Sequence, residues 1–475
     1  MSKLLVIGID GLDFEYVSQH LDRLETFRKL SERGSLCPLQ SVFPPDSIPA
    51  WISIFTGTQP SHHGIMDSVD YLEKNYRQFK VQTERFAHKT FWDAAGKMGR
   101  RVCVINPFMA YPVWPVNGCM ISGPVFIDGL NQAYPADILR RYPDCPPLGG
   151  IVDFPTRRSL PEFVRKTHDD AERLAAFSAK VLAGESWDLG FVSFFTMDRL
   201  QHFLWRFSDP SDPTYPGKTG MESAVLDHYV LFDRIVNQLM QCLPPDGQVL
   251  VISDHGHGMR CTKTVNLNEY LRRKGYLKDD CGRFPVMSRK YWVERLKNCV
   301  MSALYAVGQE NLLYVLGRFI PDKKRLKSAE HVISKKGSTA WVPKFAGCGP
   351  YGGIQISPDV PQERYNSLRG AIIADLTTLN GAYNDRLFKW VKPNDEFQGT
   401  GKTYRYPDIV FELFPEYGVN WSLFVPLIST NFAHRRLSGG HKWYGVIGTS
   451  WPQSPPVHHV VDIHNVIIGL LESIP

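Results

Sequence analysis

The chain has 475 residues, 43% hydrophobic and 21% charged, with a net charge of +6. There is enough apolar surface to build a core, which argues against disorder, and a charge this small, with Lys and Arg spread along the chain, argues against a dedicated nucleic-acid binder. Nine cysteines, an odd number without a C-x-x-C pair, argue against a disulfide framework or a thiolate metal site and make a reducing cytoplasm the expected setting.

Taken in chain order, the first element is the strand-like run in "MSKLLVIGIDGLDF". It is too short for a membrane anchor and lacks a small-residue cleavage site, so neither a signal peptide nor membrane attachment is expected. Three similar runs follow, "RVCVINP", "LGFVSFFTMD" and "GQVLVISDHG", each ending in polar residues. Continuous apolar runs of this kind suit strands buried on both faces, which makes an α/β sandwich with a mostly parallel sheet the expected fold class. In such sheets the chemistry gathers at the carboxyl ends of the strands. From Arg283 to Leu413 the texture shifts to amphipathic helix, a basic connector and then Gly-rich and aromatic strand signals. The expected organisation is therefore a catalytic core over 1–282, an inserted cap over 283–413, and a closing part of the core over 414–475 that ends in an amphipathic helix.

Several residues could carry chemistry, and each also has an ordinary structural reading. Asp10 in "VIGIDGLD" suits a helix N-cap or turn. Ser47 in "FPPDSIPAW" suits a helix start, where it either caps the helix or meets an anion at the positive end. Asp198 and His202 in "TMDRLQHFLW" are four residues apart, so on a helix they share a face, ready for one cation or for a hydrogen bond. Asp254 and His255 in "ISDHGHGM" point apart in an extended strand, so they converge only where the chain turns, and Gly256 and Gly258 permit that turn. His257 is the weaker candidate, because alternation is expected to send it elsewhere. His441 in "RRLSGGHKWYG" follows two glycines in a loop. Together these are nitrogen and oxygen donors without thiolate, a set that favours zinc or manganese, and there are more of them than one tetrahedral ion needs. Two ions are implied.

The segments "GIDGLD", "FPPDSIPAWISIFTGTQPSHHGI", "VINPFMAYPVWPVNGCMISG", "MDRLQHFLW", "ISDHGHGM", "NLNEYLRRKGYL", "GGIQI" and "GGHKW", in this order, resemble the alkaline phosphatase superfamily. Within it the chain is similar to the type I phosphodiesterase and nucleotide pyrophosphatase branch, and to the predicted phosphohydrolases or phosphomutases. The resemblance implies an alkaline phosphatase-like α/β/α sandwich with an inserted cap. It implies two divalent ions, Zn2+ first and Mn2+ second, one on Asp198, His202 and His441 and the other on Asp10, Asp254 and His255. Ser47 is implied to be both ligand and nucleophile, forming a phosphoseryl intermediate, with backbone N–H groups of the following helix on the phosphate oxygens. Ala50 stands where many nucleotide pyrophosphatases carry a phosphate-orienting Asn, and Asn106 is the substitute expected to bind substrate. The substrate implied is a small phosphate ester, a nucleotide or nucleotide conjugate among them, with no nucleic acid or membrane as partner and a homo-oligomer as an open alternative. A phosphomonoesterase or phosphomutase on the same site is the rival reading, and a degenerate member that only binds ligand is the non-enzyme one. A sulfatase is disfavoured, because "SIPAW" lacks the Arg of the usual formylglycine context.

Overall fold

The computed structural model describes residues 3–66, 83–125, 129–149, 155–281, 284–307, 309, 312, 331–345, 349–398, 406–452 and 457–473. The chain forms two compact units, one built on Met1–Gly258 and His441–Pro475, the other on Met259–Gly399 and Arg405–Gly440.

The first unit is organised by an eight-stranded sheet. Its strands in chain order are β1 (Leu4–Ile9), β2 (Ser35–Gln40), β3 (Val102–Ile105), β4 (Gly118–Ser122), β5 (Gln132–Tyr134), β6 (Leu189–Phe194), β7 (Gln248–Ile252) and the late strand Tyr444–Thr449. Across the sheet the order is β2, Tyr444–Thr449, β7, β1, β6, β3, β4, β5. The five from β7 to β4 run parallel, while Tyr444–Thr449 is antiparallel to β2 and β7, and β5 is antiparallel to β4. All of β1, β3 and β6 is buried, as the continuous apolar runs require. Alternation divides those side chains between two layers. Leu4, Val6 and Phe191 join a cluster with Trp51, Phe55, Phe91, Trp92 and Ile467, which come from helices Ser47–Thr56, Phe91–Lys97 and Ile463–Ser473. From the other face of β6, Phe194 meets Phe232 of helix Ala224–Met240 edge to face, 5.4 Å between centroids. Helices thus cover both faces, and the carboxyl ends of the parallel strands are left to build a site.

The second unit has its own core around Ile354, Ile372, Leu376 and Phe411. An antiparallel four-stranded sheet runs in the order Ala340–Trp341, Tyr351–Ile356, Ile409–Leu413, Phe388–Pro393, with helix Gln362–Gly381 beside it. A smaller sheet places Lys263–Asn266 between Tyr417–Asn420 and Ile428–Thr430. That pairing explains why this unit is wider than the expected 283–413: each flank holds strands whose partners lie on the other flank. The first unit resumes at His441, not at 414. Among the described residues no helix is long and apolar enough to cross a membrane.

Candidate metal centre

Strands β7, β1 and β6 are neighbours, and the residues that follow them come together. Asp10 follows β1 directly. Asp254 and His255 are the second and third residues after β7. β6 leads into helix Thr196–Ser208, which carries Asp198 and His202 on one face. The Asp198 backbone N–H donates to the Asp10 carbonyl at 3.0 Å, joining the ends of two strands. Ser47 is the first residue of helix Ser47–Thr56, capped by the Asp46 carboxylate on the Ile48 N–H at 3.2 Å. His441 lies in the short strand Gly439–Lys442.

Every metal ligand expected from the sequence is within this cluster. The Ser47 hydroxyl donates to Asp10 Oδ1 at 3.2 Å and lies 3.1 Å from His255 Nε2. His255 Nε2 is 3.7 Å from Asp10 Oδ1 and 3.3 Å from Asp254 Oδ2. On the other side, His202 Nε2 is 3.3 Å from Asp198 Oδ2, His441 Nε2 is 3.3 Å from Asp198 Oδ1, and the two Nε2 atoms are 3.1 Å apart. Outer contacts fix the orientations. His255 Nδ1 meets the Gly256 carbonyl at 3.0 Å and His441 Nδ1 meets the Pro45 carbonyl at 3.1 Å. A carbonyl only accepts, so both Nδ1 atoms carry the proton and both Nε2 atoms turn toward the cluster. The Trp51 indole N–H donates to Asp10 Oδ2 at 3.0 Å, and the Gly11 N–H donates to Asp254 Oδ1 at 3.2 Å.

The electrostatics are those of a site that needs positive charge. Burial, reinforced by Asp254 and Asp198, raises the Asp10 carboxyl well above its usual range, and burial with Asp198 does the same to Asp254. Burial would also raise Asp198, but His202, with His257 and His441, outweighs it and holds that carboxyl well below the ordinary range. Burial works against charge on His441, yet Asp198 prevails and pushes it up to about 9. Burial leaves His255 neutral, well below its ordinary value. Asp198 Oδ1 and Asp254 Oδ2 are buried without a hydrogen-bond partner. Buried carboxylate oxygens are rarely left so, and cations between them and the facing imidazoles would satisfy both. The donor set Asp10, Asp254, His255 and the imidazoles around Asp198 therefore fits divalent metal.

The structure differs from the sequence reading in four particulars. His257, set aside there, lies at the centre: its Nε2 is 3.4 Å from Asp198 Oδ1. The available signal was the two-residue spacing itself, which along an extending chain puts His257 on the same side as His255. Gly256 and Gly258 do not bend the chain through positive φ, since neither adopts it. Gly256 instead supplies room, because a Cβ there would lie 2.3 Å from the Tyr444 carbonyl oxygen and 2.6 Å from Asp13 Oδ2. Asn106, expected to bind substrate, is tied to the scaffold through both ends of its carboxamide. Nδ2 donates to the Ser193 carbonyl at 2.8 Å and Oδ1 accepts the Gly149 N–H at 2.9 Å, around a positive φ of 57°. Finally, the helix beginning at Ser47 offers fewer N–H groups than expected, since Ile48 N–H serves Asp46 and Pro49 has none.

The model of the type I phosphodiesterase / nucleotide pyrophosphatase family matches residues 4–412. Ectonucleotide pyrophosphatase/phosphodiesterase family member 1 of Rattus norvegicus is 24% identical over 277 residues, which are 56% of this chain and 25% of that protein. The match thus spans a quarter of that relative's length. Among solved structures, phosphonoacetate hydrolase of Sinorhizobium meliloti 1021 shares the fold, with TM-scores of 0.52 in its complex with phosphonoacetate and 0.51 with phosphonoformate. Both alignments are 14% identical and cover 99% of this chain and 96% of the other. The expected alkaline phosphatase-like α/β architecture is the one observed. A family match over most of the chain, laid on a sheet whose carboxyl ends gather carboxylates, imidazoles and a helix-capped serine, places the chain in the type I phosphodiesterase / nucleotide pyrophosphatase family of phosphoester hydrolases.

Proposed function

We propose that this chain is a metal-dependent phosphodiesterase of the nucleotide pyrophosphatase type, cleaving a small-molecule phosphate ester through a phosphoseryl intermediate on Ser47. The observation that carries this reading is the position of the Ser47 hydroxyl, at a helix N-terminus and within 3.2 Å of Asp10 Oδ1 and 3.1 Å of His255 Nε2. Asp10, Asp254, His255 and Ser47 would hold one divalent ion, and Asp198, His202 and His441 the other, with Zn2+ preferred and Mn2+ second. When bound, such ions lower the pKa of a coordinated hydroxyl and neutralise developing oxyanions.

The chain's own residues do the rest. His255, held neutral with its proton on Nδ1, turns a lone pair toward Ser47. In the resting state the Ser47 hydroxyl donates a hydrogen bond to Asp10 Oδ1, the carboxylate placed to take the proton as Oγ attacks, and Asp10 is itself steadied by Trp51. Ser47 Oγ then forms a bond to phosphorus as the ester P–O bond breaks, and the leaving oxygen departs on the opposite side. Water cleaves the phosphoseryl bond in the second half-reaction. The positive end of helix Ser47–Thr56 favours the anionic substrate there. The scattered cysteines support a reducing compartment as the place of action.

The test is turnover of bis-aryl and mono-aryl phosphates, nucleotides and nucleotide sugars with zinc and with manganese, by wild type, Ser47→Ala and His255→Ala. We expect diester turnover by wild type and a loss on the order of 1,000-fold or more in Ser47→Ala, as for removal of a nucleophile. Equal turnover by Ser47→Ala, or none by wild type, would sink the reading. In heavy-oxygen water a hydrolase incorporates the label into the released phosphate monoester, whereas a mutase passes the phosphoryl group to a second hydroxyl unlabelled.

A further inference from the structure

The Asp198 carboxylate is approached by one imidazole more than the two assigned to it. His202 Nε2, His257 Nε2 and His441 Nε2 lie 3.3, 3.4 and 3.3 Å from its oxygens. His257 is 0% exposed, and neither of its ring nitrogens has a hydrogen-bond partner. The facing atom, Asp198 Oδ1, is equally buried and equally unpartnered. A buried imidazole with both nitrogens idle is unusual, because each lost water contact goes unreplaced. Its backbone is also tied down: the His257 N–H donates to Asp13 Oδ2 at 3.1 Å. The ring lies 4.7 Å from that of His202 and 6.0 Å from that of Trp205, centroid to centroid. Asp198, His202 and His257 form a metal-capable triad by distance alone.

We propose that His257 is a fourth protein ligand of the ion held by Asp198, His202 and His441. One cation between Asp198 Oδ1 and His257 Nε2 satisfies both orphaned atoms at once. The inference rests on the metal-dependent reading above and adds a consequence to it. Three imidazoles and a carboxylate fill a tetrahedral shell, so this ion accepts a substrate oxygen only by expanding to five or six ligands.

The test uses the full chain, stripped with chelator and titrated with Co2+, Zn2+ and Mn2+ while stoichiometry, affinity and the visible Co2+ spectrum are recorded. Wild type is expected to take two ions. His257→Phe keeps the ring volume and removes both nitrogens. It should weaken one ion by more than about 100-fold, beyond what loss of a merely supporting partner does, and leave the other unchanged. The Co2+ band of the weakened ion should shift in wavelength and intensity as an imidazole leaves its shell. X-ray absorption on zinc-loaded wild type, which needs no variant to fold, should count four imidazoles shared by two ions. A count of three, or a His257→Phe protein with both affinities and the spectrum intact, overturns the proposal while leaving the metal-dependent reading in place. Wild type that takes up no ion overturns both.

Discussion

At the scale of single residues, the cluster depends on neighbours that position its ligands. Trp51 holds Asp10 Oδ2 through its indole N–H at 3.0 Å, and it is fully buried. Trp51→Phe keeps an aromatic ring in the core and removes only that donor and some volume. Asp10 is then freer to rotate, and metal affinity measured by competition with a chromogenic chelator should fall by about 10- to 100-fold. Unchanged affinity would show that Asp10 is positioned by the ion alone. Gly256→Ala makes a different prediction. Its new Cβ would press on the Tyr444 carbonyl and the Asp13 carboxylate, both part of packed backbone or network, so relief requires the main chain to move. A loss of about 1–3 kcal/mol in denaturant-induced unfolding is expected, typical of overpacking. A neutral result would mean that the strand Gly256–Met259 shifts freely, which its bond from His257 N–H to Asp13 argues against.

At the scale of elements, the helix that presents Ser47 is braced by the short helix Pro60–His63 that follows it. His63 accepts the Ile65 N–H on Nδ1 at 3.1 Å, so the proton is on Nε2, which meets Ser53 Oγ at 3.1 Å. Burial lowers the pKa of this imidazole from 6.5 to about 3. In the folded chain His63 therefore stays neutral while the unfolded chain protonates it below about pH 6.5. The contribution is intact above that pH and is lost as pH falls toward about 3, at roughly 1.4 kcal/mol per pH unit. His63→Gln keeps an acceptor and a donor but does not titrate. The stability gap between wild type and this variant should narrow from about pH 7.5 to about pH 5 in urea unfolding, and a constant gap would refute the assignment. Legibility followed the range of the interactions. The strands were readable because residues such as Leu4–Ile9 are buried on both faces, and local composition records that. Asp198 and His202 were readable because helical spacing is local too. The width of the second unit was not, since Lys263–Asn266 finds its partners at Tyr417–Asn420 and Ile428–Thr430, more than a hundred residues away. The place of His257 beside Asp198 depends on a turn that local alternation does not record, and the hydrogen bonds of Asn106 to Ser193 and Gly149 are set by tertiary packing.

At the scale of the whole molecule, the two units should respond differently to loss of metal. The first gathers Asp10, Asp198 and Asp254 at the ends of three adjacent parallel strands, where burial raises two of them and three imidazoles are needed to hold the third ionised. Without cations this is a cluster of like charges in a desolvated place, and folding must bear that cost. An ion that binds only the folded state offsets it by mass action, by about 2.7 kcal/mol when free metal exceeds its Kd a hundredfold. The second unit contributes none of the candidate ligands and rests on a separate core around Ile354, Ile372 and Phe411. Chelation should therefore lower the thermal midpoint, with the loss confined in hydrogen exchange to the ends of β1, β6 and β7 and the start of helix Ser47–Thr56. Strand Ile409–Leu413 in the second unit should keep its protection. Restoring zinc or manganese should restore the first unit's midpoint in proportion to the logarithm of free metal. An even loss of protection across both units, or a midpoint indifferent to chelator, would show that the carboxylate cluster is not a cost relieved by metal.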